Sequence, residues 1–133
     1  MDWQEFDDET RKLARMIHTK PDMIIGISRG GVIPAALLAK ILDVREMHSL
    51  STERKGETRQ ITADIFTDVS KKKILLVEDI IETGRSLIAG KKFLEERGAH
   101  VITACLYTMP HSEIKPDYSL KEIAEVAQFP WNQ

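Results

Sequence analysis

Glu78, Asp79 and Glu82 put three carboxylates into five residues of the run ILLVEDIIETGRSL, and Thr83, Gly84, Arg85 and Ser86 follow directly. The two halves of this run ask for different chemistry. Hydroxyls, a permissive glycine and the free N–H groups of a starting helix form a cradle for a phosphate. Carboxylates repel phosphate; an adjacent pair instead accepts hydrogen bonds from vicinal hydroxyls or helps to hold a hydrated magnesium ion. A phosphorylated sugar together with magnesium satisfies both halves. The plainer alternative is a dipole-complementing acid cluster beside a turn that needs no ligand. The ordered succession of strand, acid pair, aliphatic pair, acid, Thr-Gly, basic residue and Ser argues against it.

A second loop has the same position in the chain. Ser28, Arg29, Gly30 and Gly31 separate the aliphatic run MIIGIS from VIPAALLAKILD. Two glycines between strand and helix are often only a tight turn. Beside the first loop they read as an anion site, with Arg29 and backbone N–H groups facing a pyrophosphate.

The elements that must position these loops follow from pattern. Residues 2–20 place Trp3, Phe6, Leu13, Met16 and Ile17 at mostly helical spacing before Pro21, which predicts an amphipathic helix. MIIGIS, ILLV and residues 101–107 are continuous apolar runs, the mark of strands buried on both faces. Helices are expected from Pro34 and after Gly84, the second ending at Gly98, with short strands over residues 44–50 and 61–66. Residues 51–60, STERKGETRQ, are nearly devoid of apolar side chains and predict an exposed, mobile loop. Strands alternating with helices give an open, mostly parallel α/β sheet, in which ligands bind beyond the carboxyl ends of the strands. Both loops lie there.

Composition bounds the rest. A chain of 133 residues, 42% hydrophobic and 30% charged, is sized for one domain with a real core. Its formal net charge of -2 gives no footprint for nucleic acid. Cys105 is the only cysteine, so no disulfide framework exists, and it falls in a strand pattern. The acidic start MDWQEFDDE is unlike a signal peptide, and no stretch approaches the ~20 apolar residues of a membrane span. An intracellular protein with no membrane or nucleic-acid partner is expected. His18, His48, His100 and His111 show no metal-ligand spacing. Trp3 and Phe6 read as core or subunit-interface residues, and Trp131 as packing rather than as a wall of the site.

ILLVEDIIETGRSL resembles the phosphoribosyl-pyrophosphate (PRPP) signature of type I phosphoribosyltransferases, in the form found in 6-oxopurine (xanthine-guanine and hypoxanthine-guanine) salvage enzymes. ISRGGVIPAALLAKIL resembles the pyrophosphate loop and helix of the bacterial xanthine-guanine enzymes, and FPW near the end is similar to their terminal region. The resemblance implies a single type I phosphoribosyltransferase domain over residues 1–133 with a minimal hood. It implies magnesium-dependent transfer of phosphoribosyl from PRPP to a free base, in a cytoplasmic homo-oligomer, a dimer or tetramer.

By the same resemblance, PRPP would be held by Ser28, Arg29, Gly30, Arg59, Glu78, Asp79, Ile80, Ile81, Glu82, Thr83, Gly84, Arg85 and Ser86. Glu78 and Asp79 would take the ribose hydroxyls, Asp79 would lie near magnesium, and Thr83 to Ser86 would hold the 5′-phosphate. Arg29 and Gly30 would meet pyrophosphate across a cis peptide at Ser28–Arg29. Residues 51–60 would be a lid carrying Arg59, and Glu82 the catalytic group beside the base.

The base-binding set would be Glu82, Met109, Val126 and Ala127, and it departs from the family. Glu82 stands where an aspartate is usual, Met109 where a lysine binds the exocyclic oxygen, and Val126 where an aromatic ring stacks. The lid also lacks a tyrosine. Two alternatives therefore stay open beside a purine phosphoribosyltransferase: a PRPP- or nucleotide-binding regulatory protein, and a transferase for a different base.

Overall fold

The computed structural model describes residues 1–63 and 67–132. The chain opens with α1 (Trp3–Met16), started by Asp2, whose carboxylate accepts from Glu5 N at 2.8 Å while Glu5 returns a bond to Asp2 N. This reciprocal pair satisfies two of the helix's orphan donors. The helix ends before residue 20 because Ile17 turns to extended backbone, well ahead of Pro21.

Next come β1 (Met23–Ile27), α2 (Val32–Ile41), β2 (Met47–Lys55), β3 (Thr58–Ala63), β4 (Lys73–Ile81), α3 (Arg85–Glu95), β5 (His100–Thr108) and β6 (Lys121–Glu122), with a terminal 3-10 turn at Pro130–Asn132. Pro34 lies in the first turn of α2, where no backbone donor is needed. The six strands form one sheet in the order β3-β2-β1-β4-β5-β6. All neighbours are parallel except β2 and β3.

The continuous apolar runs are explained by this sheet, which is covered on both faces. Along β1, Ile24 packs into one core with α1 and α2, while Met23, Ile25 and Ile27 pack into the other with α3. Along β4, Leu75 and Val77 join the first core and Ile74, Leu76 and Ile81 the second. Each fully buried Leu or Ile contributes about 1.5–3 kcal/mol, so the two-sided strands form the stable heart of the fold. Cys105 is fully buried in β5, as its strand pattern predicts.

Residues 51–60 differ from expectation: they form most of the β2–β3 hairpin rather than an irregular loop. Lys55 pairs with Thr58 across the two-residue turn Gly56-Glu57, with Gly56 at φ +63°. Both faces of this hairpin from Glu53 to Gln60 meet solvent, so no alternation of apolar and polar residues marks it. Backbone pairing builds it, with Thr58 Oγ1 donating to Lys55 O at 3.0 Å at the turn. The expected strand over residues 44–50 is instead β2, shifted toward the C-terminus; that over 61–66 begins earlier, as β3, and its last three residues lie outside those described.

Candidate functional site

Two cavities open at the carboxyl ends of β1 and β4, and they share Arg59, Glu78, Asp79 and Ser86. The first, about 400 Å³, is walled by residues 78–87 and by the hairpin residues Arg54, Glu57 and Thr58. The second, about 630 Å³, is walled by Ser28, Arg29, Gly30, Thr52, Trp131 and Asn132 among others. Every residue expected to hold PRPP therefore lines one or both cavities. Ile80 and Ile81 do so while their side chains pack into the two cores, which leaves their backbone as the part offered to the site.

Each loop owes its shape to backbone chemistry. The Ser28–Arg29 peptide bond is cis, as the resemblance implies. Gly31 N donates to Ile27 O at 2.9 Å, so the chain turns at once from β1 into α2. In the second loop Gly84 has φ +83°, a left-handed conformation that a side chain resists, and Ile114 fills the space a Cβ would need. Arg85 N donates to Thr83 Oγ1 at 3.3 Å, and Glu113 N donates to Thr83 O at 2.7 Å. Neither α2 nor α3 has a side-chain cap or an acid in its first turn. Val32 N donates to Arg29 O at 3.2 Å, so the first N–H of each helix has a local partner while its dipole, with no acid beside it, still favours an anion.

The acid pair sits between them. Burial, then the neighbouring Asp79 charge, push the Glu78 carboxyl up to about 8, while Arg59 pulls the other way. Burial also raises Asp79, offset in part by the Ile80 N–H, which donates to Oδ1 at 2.6 Å. Two such groups resist ionising together, so hydroxyl donors or a cation would relieve them. Among the described residues no group of three His, Cys, Asp or Glu side chains could enclose a metal. A hydrated magnesium ion, which takes one or two carboxylates plus substrate phosphates and keeps several waters, fits this donor set.

Glu82 is exposed and lines the first cavity, where its charge adds to the forces that raise Asp79. Arg85 turns its guanidinium away from the loop's hydroxyls, donating to both Glu113 carboxylate oxygens at 3.0 and 3.2 Å. This ion pair offsets the Arg85 charge at the start of α3.

Of the base-binding set, Glu82 alone is gathered with the rest. Met109 is buried and lines a separate cavity of about 330 Å³ with Lys115, Glu113 and Glu122. Val126 is 48% exposed and Ala127 half-buried, and neither lines the two joined cavities.

Several wall residues escape sequence reasoning. Arg54 is one: it stands directly opposite the expected Arg59 on the hairpin, and both line the first cavity. Like charges in that register are unfavourable unless an anion lies between them. Thr52 Oγ1 shares a hydrogen bond with Ser86 Oγ at 3.0 Å, tying the hairpin to the start of α3. A Lys-Gly-Glu-Thr turn signal was present for the hairpin; nothing in the sequence placed Thr52 or Trp131 at the site. Trp131 does both tasks, stacking on Phe129 at 4.7 Å and lining the second cavity. Phe6 is buried, whereas Trp3 is 59% exposed.

Comparisons with known proteins agree with this geometry. The chain is 36% identical over 132 residues to the hypoxanthine-guanine phosphoribosyltransferase of Lactococcus lactis subsp. lactis (strain IL1403), covering 87% of this chain and 71% of that one. It is 29% identical over 143 residues to the xanthine-guanine phosphoribosyltransferase of Idiomarina loihiensis, covering 98% and 84%. The crystal structure of a purine phosphoribosyltransferase from Pyrococcus horikoshii Ot3 superposes with a TM-score of 0.93 at 31% identity, over 100% of this chain and 92% of that one. The family model described as phosphoribosyl transferase domain matches residues 2–133, and with the sheet order and the two loops it shows that the chain belongs to the phosphoribosyltransferase family.

Proposed function

We propose that this protein, as a single domain, transfers the phosphoribosyl group of PRPP to a free purine such as guanine, xanthine or hypoxanthine, releasing pyrophosphate and forming a nucleoside monophosphate. The observation that carries this reading is the joining of two anion-ready loops by one half-buried acid pair. Glu78 and Asp79 line both cavities, with the start of α3 on one side and the Ser28–Gly30 loop on the other.

The chemistry follows from these positions. N–H groups and hydroxyls of Thr83, Gly84, Arg85 and Ser86 hold the 5′-phosphate, and Glu78 and Asp79 accept from the ribose hydroxyls. Arg29, Gly30 and Arg59 meet the pyrophosphate. A base nitrogen attacks ribose C1, the bond from C1 to the pyrophosphate oxygen breaks, and its electron pair leaves with pyrophosphate. Glu82 takes the proton that the base nitrogen loses. The hairpin bearing Arg54 and Arg59 stands over the first cavity and keeps water from the oxocarbenium-like centre. Magnesium, bound at Asp79, would supply charge neutralisation to the departing pyrophosphate. The cytoplasmic, homo-oligomeric setting implied by the resemblance belongs to the same reading.

A second reading is favoured by the altered base set: a regulatory protein that binds PRPP or a nucleotide without turning it over. Met109 cannot make a charged hydrogen bond, and Val126 offers little stacking. Incubation with magnesium, PRPP and a panel of purine and pyrimidine bases separates the two. Release of pyrophosphate and nucleotide with a purine is expected; binding of PRPP with no release for any base would overturn the transferase reading, and release only with a pyrimidine would replace the acceptor.

A further inference from the structure

The Trp131 indole nitrogen is buried and has no hydrogen-bond partner within the described residues. Buried orphan donors are uncommon in folded proteins and call for an explanation. This ring is not free to turn toward water. It stacks on Phe129 at 4.7 Å with planes 2° apart, and Phe6 meets it edge-on at 5.0 Å and 86°. Asn132 Oδ1 accepts from Phe129 N at 3.2 Å and closes the terminal turn beneath it.

The indole is therefore held in one orientation against the cavity it shares with Ser28, Gly30, Glu78 and Asp79. Of these groups Asp79 is the one whose charged form the indole N–H favours, although the pair stands outside hydrogen-bond geometry here. Asp79 has one backbone donor, the Ile80 N–H on Oδ1. That bond holds one carboxylate oxygen and leaves the other, Oδ2, without a donor among the described residues. A second donor from another direction would set the plane.

We propose that Trp131 is a positioning residue, whose indole N–H closes onto the Asp79 carboxylate in the free protein, tightens there when the site is loaded, and sets the face that carboxylate presents to the ligand. The proposal rests on the phosphoribosyltransferase reading for the identity of that ligand, and on the partnerless, ring-clamped indole lining one cavity with Asp79 for the pairing. It gives the terminal turn a role in the site, since a residue near the end of the chain orients an acid at the end of β4. Shared aromatic packing with α1 transmits the position.

The test uses the two indole N–H signals of the 15N-labelled full chain, one each for Trp3 and Trp131, assigned with Trp3→Phe. In the free protein Asp79→Asn should move the Trp131 signal and Glu78→Gln should move it much less. On addition of magnesium and PRPP the wild-type signal should move downfield, and the Asp79→Asn signal by less than half as much. Trp131→Phe keeps both ring contacts and removes the donor. It should weaken PRPP binding by roughly 3- to 10-fold in calorimetry, the size expected for one hydrogen bond, with its melting temperature little changed.

A Trp131 signal indifferent to Asp79→Asn, or moved equally by Glu78→Gln, would overturn the proposal, as would wild-type PRPP affinity in Trp131→Phe. Should Trp131→Phe fail to fold, the indole signals of the other proteins decide. Failure of the wild type to bind PRPP would count against the phosphoribosyltransferase reading alone, and the free-protein comparison would still judge the pairing.

Discussion

The Asp79 carboxylate fills the space where Gly30 would carry a Cβ, so the two loops of the site meet there. Gly30→Ala should push the carboxylate aside while leaving the half-buried loop able to fold. Misplacement by about 1 Å costs on the order of 100-fold in turnover. Steady-state kinetics with PRPP, beside an unchanged thermal melt, checks this; near wild-type kcat/KM would show that Asp79 needs no fixed position.

Glu82 separates catalysis from donor binding. Glu82→Gln keeps the shape and removes the proton acceptor, and kcat should fall by roughly 100- to 10,000-fold while PRPP affinity changes little. Turnover assays paired with calorimetry make the comparison. Equal losses in both would mean that Glu82 serves the donor rather than the base.

Arg54 and Arg59, paired across the hairpin, should lose their mutual repulsion when an anion binds between them. Arg54→Ala is expected to raise the KM for PRPP by about 5-fold, with a smaller change in kcat, and to flatten the dependence of KM on salt. Kinetics at low and high ionic strength reads both effects. An unchanged KM would remove Arg54 from the site.

The Glu78 carboxyl, raised from 4.5 to about 8, makes the apo protein pH-sensitive. Between those values the folded state keeps a proton that the unfolded chain has released, so stability is fullest below about pH 4.5 and falls as the pH rises through about 8. Glu78→Gln removes this titration. Its urea midpoint should vary less than that of the wild type between about pH 5 and pH 8. A wild-type profile with no decline over that range would place Glu78 in a more solvated setting.

Thr103 and Asp117 supply a structural contrast. Thr103 N and Oγ1 both donate to Asp117 Oδ2, at 2.8 and 3.1 Å, and Thr103 Oγ1 accepts from Asp117 N at 2.9 Å. Thr103→Val removes the two hydroxyl bonds to Asp117, whose exposed side chain can turn to water, and should cost about 0.5–1.5 kcal/mol in urea unfolding. Neither residue lines the two joined cavities, so PRPP affinity should stay as it is.

Much of the fold is legible in sequence because β1, β4 and β5 are buried on both faces and so must be written as unbroken apolar runs. The two loops are legible for a related reason. A left-handed turn demands Gly84, a close approach demands Gly30, and an anion site at a helix start leaves hydroxyls and no acids in its first turn. The β2–β3 hairpin is illegible because it is held by backbone pairing with solvent on both faces, so its side chains carry no periodic signal.

Sequence alone therefore determined the order of elements, the two anion loops and the identity of the acids, since each depends on local residue types at fixed spacing. Only the tertiary structure decided which distant groups stand together. It set Arg54 opposite Arg59, Thr52 against Ser86, Arg85 onto Glu113, and Trp131 beside Asp79. It also set Met109 in a cavity apart from Glu82. These relations arise from sheet register and from packing between segments far apart in the chain, which no local pattern encodes.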